Sequence, residues 1–190
     1  MLFSGLPFLY YFLPAVLVCY FAAPRKLKNA VLFVFSLIFY GWGEPRYIVL
    51  MIVSIVSGFV FALMIEKKQN KKSGLILMWI SVAVSLSFLL IFKYADFLIE
   101  NVNQLPGVSL PLSKLSLPIG ISFYTFQIIS YTVDVWRGDT KAQRNIISFG
   151  TYVSLFPQLI AGPIVRYTDI ERELQERKHS VTLAASGIQR

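Results

Sequence analysis

The sequence predicts an all-α, polytopic integral membrane bundle with broken or re-entrant helices, formed as one domain over residues 1–190. Three observations carry that prediction. Hydrophobic residues make up 56% of the chain against 15% charged, and the mean hydropathy is +0.63, well beyond an ordinary soluble domain. The apolar residues gather into charge-free stretches separated by short polar connections, with the basic residues concentrated in alternate connections. The last two stretches carry proline and glycine where a plain membrane helix would carry Leu and Val.

Taken in order, residues 1–24 form the first stretch. No basic residue precedes it, Pro7 and Pro14 interrupt it, and Arg25, Lys26 and Lys28 follow it. A secretory signal has its charge in front, so this stretch reads as a retained span. Cys19, the single cysteine, lies within it and excludes an internal disulfide. The second stretch, 29–43, is short of the roughly 20 residues that cross a hydrocarbon core, whereas 1–24, 47–65 and 73–92 are long enough alone. Pro45 suits the first turn of the third helix, where its missing N–H costs nothing, and Ser73 and Gly74 suit the start of the fourth. The fourth helix should outlast its uncharged part, because Lys93, Asp96 and Glu100 stand at helical spacings that permit pairing. Residues 101–116, with Pro106, Gly107 and Pro111, read as the one extended loop.

The fifth stretch, 115–133, has Pro118 and Gly120 near its start and Gln127 near its centre. The sixth, 145–165, contains Gly150, Pro157, Gly162 and Pro163, with Gln158 beside the central proline. Lipid offers no hydrogen bonds, so backbone freed by such breaks must be satisfied by neighbouring helices, side chains or water. Both stretches therefore predict a wall of a protein-lined cavity. After Val165 the character changes: Thr168 followed by Glu171 is a capping-box pattern, Glu173 and Arg177 form an i,i+4 pair, and Ile170 with Leu174 makes a narrow apolar stripe. That is a short amphipathic helix at a membrane surface. It is cytoplasmic if the sixth stretch turns back within the bilayer and external if the stretch spans.

The net charge of +8 does not indicate nucleic acid, because of where the charges fall. Basic residues follow the first stretch (Arg25, Lys26, Lys28), the third (Lys67, Lys68, Lys71, Lys72) and the fifth (Arg137, Lys141, Arg144), while the intervening connections hold only Arg46, Lys114 and, at the end of the fourth helix, Lys93. The positive-inside rule makes those three loops cytoplasmic and the amino terminus external, and the same residues suit contact with anionic lipid. No HExxH, CxxC pair, Walker loop or GxSxG elbow is present, which removes the usual signs of metal, nucleotide or serine hydrolysis.

Residues 117–138 (LPIGISFYTFQIISYTVDVWRG) and 156–167 (FPQLIAGPIVRY), together with 8–14 (FLYYFLP) and 39–47 (FYGWGEPRY), resemble the membrane-bound O-acyltransferase family, in the branch of bacterial alginate O-acetylation proteins. The resemblance covers essentially the whole chain, yet family members are more than twice as long, so it implies an amino-terminal portion. It further implies a bacterial inner-membrane location and transfer of an acyl group from a thioester donor such as acetyl-CoA to a hydroxyl of an extracytoplasmic polysaccharide. The implied partners are membrane lipid, a periplasmic acetyltransferase and the polysaccharide machinery.

Hydroxyl attack needs a positioned base, most often histidine. The family's catalytic histidine belongs to a later membrane helix, and His179, the only histidine here, sits in a polar segment outside both motif strings and reads as solvated. No catalytic residue is assigned, and the chain alone is expected to be catalytically incomplete.

Five residues stand as candidates for the substrate or donor tunnel. Asp134 could orient a catalytic group or bind substrate at the cavity mouth, or simply pair with Arg137. Gln127 and Gln158 are costly in hydrocarbon, so they either line the tunnel or bond between helices. Arg166 either holds a carrier phosphate from the cytoplasmic side or snorkels to the interface. Tyr124 is a candidate tunnel wall, Trp136 fits an interfacial aromatic belt, and Phe126 and Tyr167 suit either place. The competing class is a small non-enzymatic membrane protein or transporter fragment. A transporter should repeat its broken pair, and residues 1–92 contain no counterpart to the proline and glycine pattern of 115–165.

Overall fold

The structure, a computed structural model, describes residues 5–104, 111, 117–161, 165–175, 180 and 186. Among these, every regular element is a helix. A π-helical turn at Phe8–Phe12 runs into α1 (Leu13–Ala22), followed by α2 (Lys28–Gly43), α3 (Ile48–Lys67), α4 (Lys72–Val102), α5 (Ile121–Arg137), α6 (Ile146–Ser154), α7 (Phe156–Ala161) and α8 (Tyr167–Gln175). Two helical stretches are long and apolar enough to cross a membrane, Pro45–Lys67 and Lys72–Val102. Among the described residues the first apolar stretch forms the helix Phe8–Ala22, with Pro14 in the opening turn of α1. Pro45 does open the third helix, and α4 does continue past Phe92 to Val102.

Helix α5 packs on α3 and α4, α6 packs on α2 and α3, and α1 lies against α2. Apolar side chains gain little by leaving lipid for one another, so close backbone approach at small residues matters more here than hydrophobic burial. Gly58 of α3 is such a point: a Cβ there would lie 2.6 Å from Ile128 Cγ2 of α5. Two aromatic layers tie the bundle. Phe8, Phe12, Phe39 and Phe156 meet with centroids 5.4–5.9 Å apart, joining the first helix to the end of α2 and the start of α7. Tyr131, Phe149, Tyr152 and Tyr167 form the other layer, with Tyr131–Phe149 at 4.8 Å and Tyr131–Tyr167 at 4.9 Å.

The three basic loops meet at one end of the bundle. Arg144, ahead of α6, pairs with Glu66 at the end of α3, and Glu66 Oε1 accepts from the Ala142 amide at 3.1 Å. Gln69, in the α3–α4 turn, donates to Val135 O at 3.3 Å at the end of α5. Asn29, at the start of α2, donates to Ser148 Oγ at 2.9 Å and to Leu174 O at 3.1 Å, while Thr151 Oγ1 donates to Asn29 O at 2.9 Å. Helix α8 is therefore at the same end: the chain leaves it at Asn145, runs through α6 and α7, and is back by Tyr167.

Both expected breaks exist, at slightly different residues. Helix α5 begins only at Ile121, after Gly120 in the left-handed region (φ 75°), with the Ile121 amide donating to Pro118 O. Helices α6 and α7 are separated at Leu155 (ψ 113°), two residues ahead of Pro157. The freed Phe156 amide finds Ser36 Oγ at 3.4 Å, and the Gln158 and Leu159 amides both donate to Leu155 O at 3.0 Å. The neighbouring helix and the new turn thus satisfy backbone that lipid would leave orphaned.

Two local expectations change. Helix α4 starts at Lys72 without a side-chain cap, so Ser73 is inside it. Thr168 is likewise inside α8 rather than at its N-cap, and Glu171 accepts from Thr140 Oγ1 at 3.0 Å instead of closing a capping box. Ile170 and Leu174 do face the core, as the apolar stripe requires. The body of the 101–116 loop, Gly162, Pro163, Arg177 and His179 lie outside the described residues.

Candidate functional site

Asp134 occupies the last turn of α5 and is 4% exposed. Its Oδ2 is buried without a hydrogen-bond partner, a costly state for a carboxylate unless charge or a ligand compensates. Of the two arginines acting on it, Arg166 exerts the stronger field, ahead of Arg137. The influence of Arg137 at i+3 is thus secondary to that of a residue distant in sequence, which spacing does not show.

Around this carboxylate the loop from Gly138 to Asn145 builds a hydrogen-bonded frame. Gln143 is its hub: its amide donates to Tyr131 Oη at 2.7 Å, its Nε2 donates to Tyr167 Oη at 2.8 Å, and its Oε1 accepts from the Asn145 amide at 3.0 Å. Asn145 Oδ1 then caps α6, accepting from Ile147 N at 2.8 Å and Ser148 N at 3.3 Å. Tyr152 Oη donates to Val165 O at 3.0 Å, fixing the backbone immediately before Arg166. Burial pushes the Tyr167 hydroxyl up to about 12, more than the bond from Gln143 pulls it down, so it is neutral at physiological pH. The frame is uncharged and fixes the backbone that leads into Arg166.

Gln158 stands at a different place. It lines an apolar cavity of about 370 Å³ between the first helix, α2, the α6–α7 break and α8, whose other walls include Leu13, Tyr20, Leu32, Phe156 and Ile170. Its Nε2 is buried without a hydrogen-bond partner, and the cavity beside it is almost wholly apolar. Tyr124 is fully buried, and its hydroxyl interacts with that of Tyr40 of α2, although neither reaches full hydrogen-bonding geometry. Gln127, 3% exposed, shares that buried side of α5. Ten residues separate Tyr124 from Asp134, about 15 Å along the helix.

The structure makes Arg166 the stronger cationic influence on Asp134, without an ion pair between them, and distributes Tyr124, Gln127 and Gln158 elsewhere in the interior. Phe126 is exposed, Trp136 is half-buried at the end of α5, and Tyr167 belongs to the frame. Among the described residues no group of His, Cys, Asp and Glu is placed to hold a metal. Sequence reasoning missed Gln143, Tyr131, Tyr152 and Asn29. Only Asn145 carried a readable signal, an asparagine just ahead of an apolar helical run.

Among the described residues the elements are all helical and two helical stretches are long and apolar enough to cross a membrane, the character of a membrane-associated helical protein. Comparison with known proteins gives the particular family. The chain is 37% identical over 201 residues to the probable alginate O-acetylase AlgI of Pseudomonas aeruginosa and 37% identical over 198 residues to that of Azotobacter vinelandii, covering all of this chain and 38% and 39% of those proteins. It is 27% identical to a peptidoglycan O-acetyltransferase of Helicobacter pylori over 94% of this chain and 40% of that protein. The chain belongs to the membrane-bound O-acyltransferase family, in the alginate O-acetylase branch, and matches an amino-terminal portion of these relatives. It spans about two-fifths of their length. No family model and no solved structure matches it.

Proposed function

We propose that the chain forms the amino-terminal part of a membrane O-acyltransferase that passes acyl groups, acetyl by analogy with its relatives, to hydroxyls of an extracytoplasmic polysaccharide, directly or through a partner. The observation that carries this is the similarity of the entire chain to proteins named as O-acetylases of alginate, extended by one named for peptidoglycan. In this reading the protein is multi-pass in a bacterial inner membrane with its amino terminus outside. Helices α3 and α4 span, and α6 and α7 enter the bilayer and return. The gathering of three basic loops and α8 at one end supports that orientation.

Arg166 is then on the cytoplasmic side, where its planar guanidinium suits a phosphate of a carrier such as coenzyme A. Asp134 positions Arg166 and offers its unpaired oxygen to a donor N–H or O–H. Gln158 lines the apolar cavity, and a small movement of its unpartnered amide would let it orient an acyl carbonyl there. In the transfer itself the acceptor hydroxyl oxygen bonds to the thioester carbonyl carbon, the thiolate leaves, and the hydroxyl proton passes to a base. The family resemblance assigns that base to a histidine in another segment. The residues described here bind and orient. A periplasmic acetyltransferase and the polysaccharide machinery receive the product in this scheme.

The test is a chimera in which residues 1–190 replace the matching segment of the Pseudomonas aeruginosa relative, in cells lacking that gene, with acetyl ester measured on secreted polymer. Acetylation should persist, and Asp134→Ala or Arg166→Ala should lower it about tenfold or more, the effect of roughly 1.4 kcal/mol in a transition state. A chimera present in the membrane yet unable to acetylate would overturn the functional reading. A fully active double variant would remove Asp134 and Arg166 from the site.

A further inference from the structure

The turn between α3 and α4 and the end of α5 enclose a second cavity, of about 490 Å³, lined by Asn70, Lys71, Lys72, Leu75, Trp136 and Arg137. Three cations from segments more than 60 residues apart in sequence converge on it. The nearby carboxylates do not line it: Glu66 is engaged by Arg144 and the Ala142 amide, and Asp134 is buried under the influence of Arg166, with Asp139 following Gly138. The cavity's two sides are held in fixed relation. Gln69 Nε2 donates to Val135 O at 3.3 Å and Trp136 O at 3.5 Å, tying the turn to the last turn of α5. Asn70 adopts a left-handed conformation (φ 65°), and Gly138 (φ 86°) lies so close that a Cβ would stand 2.6 Å from Gln69 Nε2.

We propose that this cavity is a binding site for the phosphate of an anionic phospholipid. Lys71, Lys72 and Arg137 surround the phosphate, and Trp136 and Leu75 contact the region where headgroup meets acyl chain. A lipid is favoured over a soluble anion because the cationic pocket opens onto an apolar helix surface: Leu75, Ile76, Trp79 and Ile80 of α4 are exposed in continuation of it. An amphipathic ring half-buried beside paired cations is the arrangement that membrane interfaces select.

The test reconstitutes the chain in mixed vesicles of phosphatidylcholine with a minority of brominated phosphatidylglycerol. The background is Trp42→Phe with Trp79→Phe, so that Trp136 alone reports quenching. Quenching should exceed that from brominated phosphatidylcholine at the same mole fraction. Each neutralisation among Lys71→Gln, Lys72→Gln and Arg137→Gln should weaken the preference roughly fivefold, the change expected for a charge worth about 1 kcal/mol near an anionic surface. Gly138→Ala keeps every charge but displaces the turn from α5, and should weaken the preference as well. Arg25→Gln with Lys26→Gln should leave it intact. Equal losses in that control, or an undiminished preference in Gly138→Ala, would reduce the effect to diffuse electrostatics and overturn the site. Displacement by millimolar inorganic phosphate as effective as dilution with unlabelled phosphatidylglycerol would overturn the lipid as its ligand.

Discussion

Gly58 decides how closely α3 and α5 approach. A methyl at that position meets Ile128 Cγ2 at 2.6 Å, inside any real contact, and both helices are held by other neighbours. Gly58→Ala should therefore destabilise the bundle by about 1–3 kcal/mol, the usual cost of overpacking. Ile128→Ala in the same chain should recover part of that loss by removing the clashing atom. Thermal unfolding in detergent of both single variants and the double checks this, and strictly additive losses would contradict it. Asp134 teaches a complementary lesson. Its spacing from Arg137 is visible along the sequence and suggests a local pair, but the stronger field on it comes from Arg166, 32 positions away and on another element. The type of each candidate residue was legible, whereas the identity of its partner depended on tertiary contacts that no periodicity encodes.

At the scale of elements, the breaks were legible because proline and glycine act locally on backbone geometry, and their exact sites were not. Pro157 marks the disruption of the sixth stretch, but the chain turns at Leu155, so that the proline falls in the opening turn of α7, where it costs no hydrogen bond. The capping-box pattern at Thr168 failed for a related reason. Glu171 has a tertiary partner in Thr140, and α8 starts two residues earlier than the pattern requires. Asn145 illustrates a cap that does form. Its side chain accepts from two amides of α6 while its own amide is held by Gln143, so α6 starts at a defined place against α2. Asn145→Ala should cost about 1 kcal/mol, within the range for lost N-caps, and Asn145→Asp appreciably less. Amide hydrogen exchange should localise the loss to the first turn of α6, and unchanged protection there would contradict the cap's role.

For the whole molecule, the decisive property is that the basic loops and α8 share one end. From sequence alone the sixth stretch could span or turn back. The contacts of Asn29 with Leu174 and of Thr140 with Glu171 place α8 beside the start of α2 and the loop after α5. Helices α6 and α7 are also short, and both their length and these contacts favour the proposed path that leaves and returns on one side. If the bundle sits in a bilayer as proposed, one impermeant thiol reagent should separate its two faces. In a Cys19→Ser chain, Lys68→Cys and Thr168→Cys should react from the same side, and Arg46→Cys from the other. Inverted and right-side-out vesicles provide the two exposures. Labelling of Thr168→Cys together with Arg46→Cys would mean that 145–165 crosses the membrane. Arg166 would then face away from any cytoplasmic carrier, and the proposed phosphate contact at the Asp134–Arg166 site would fall with it.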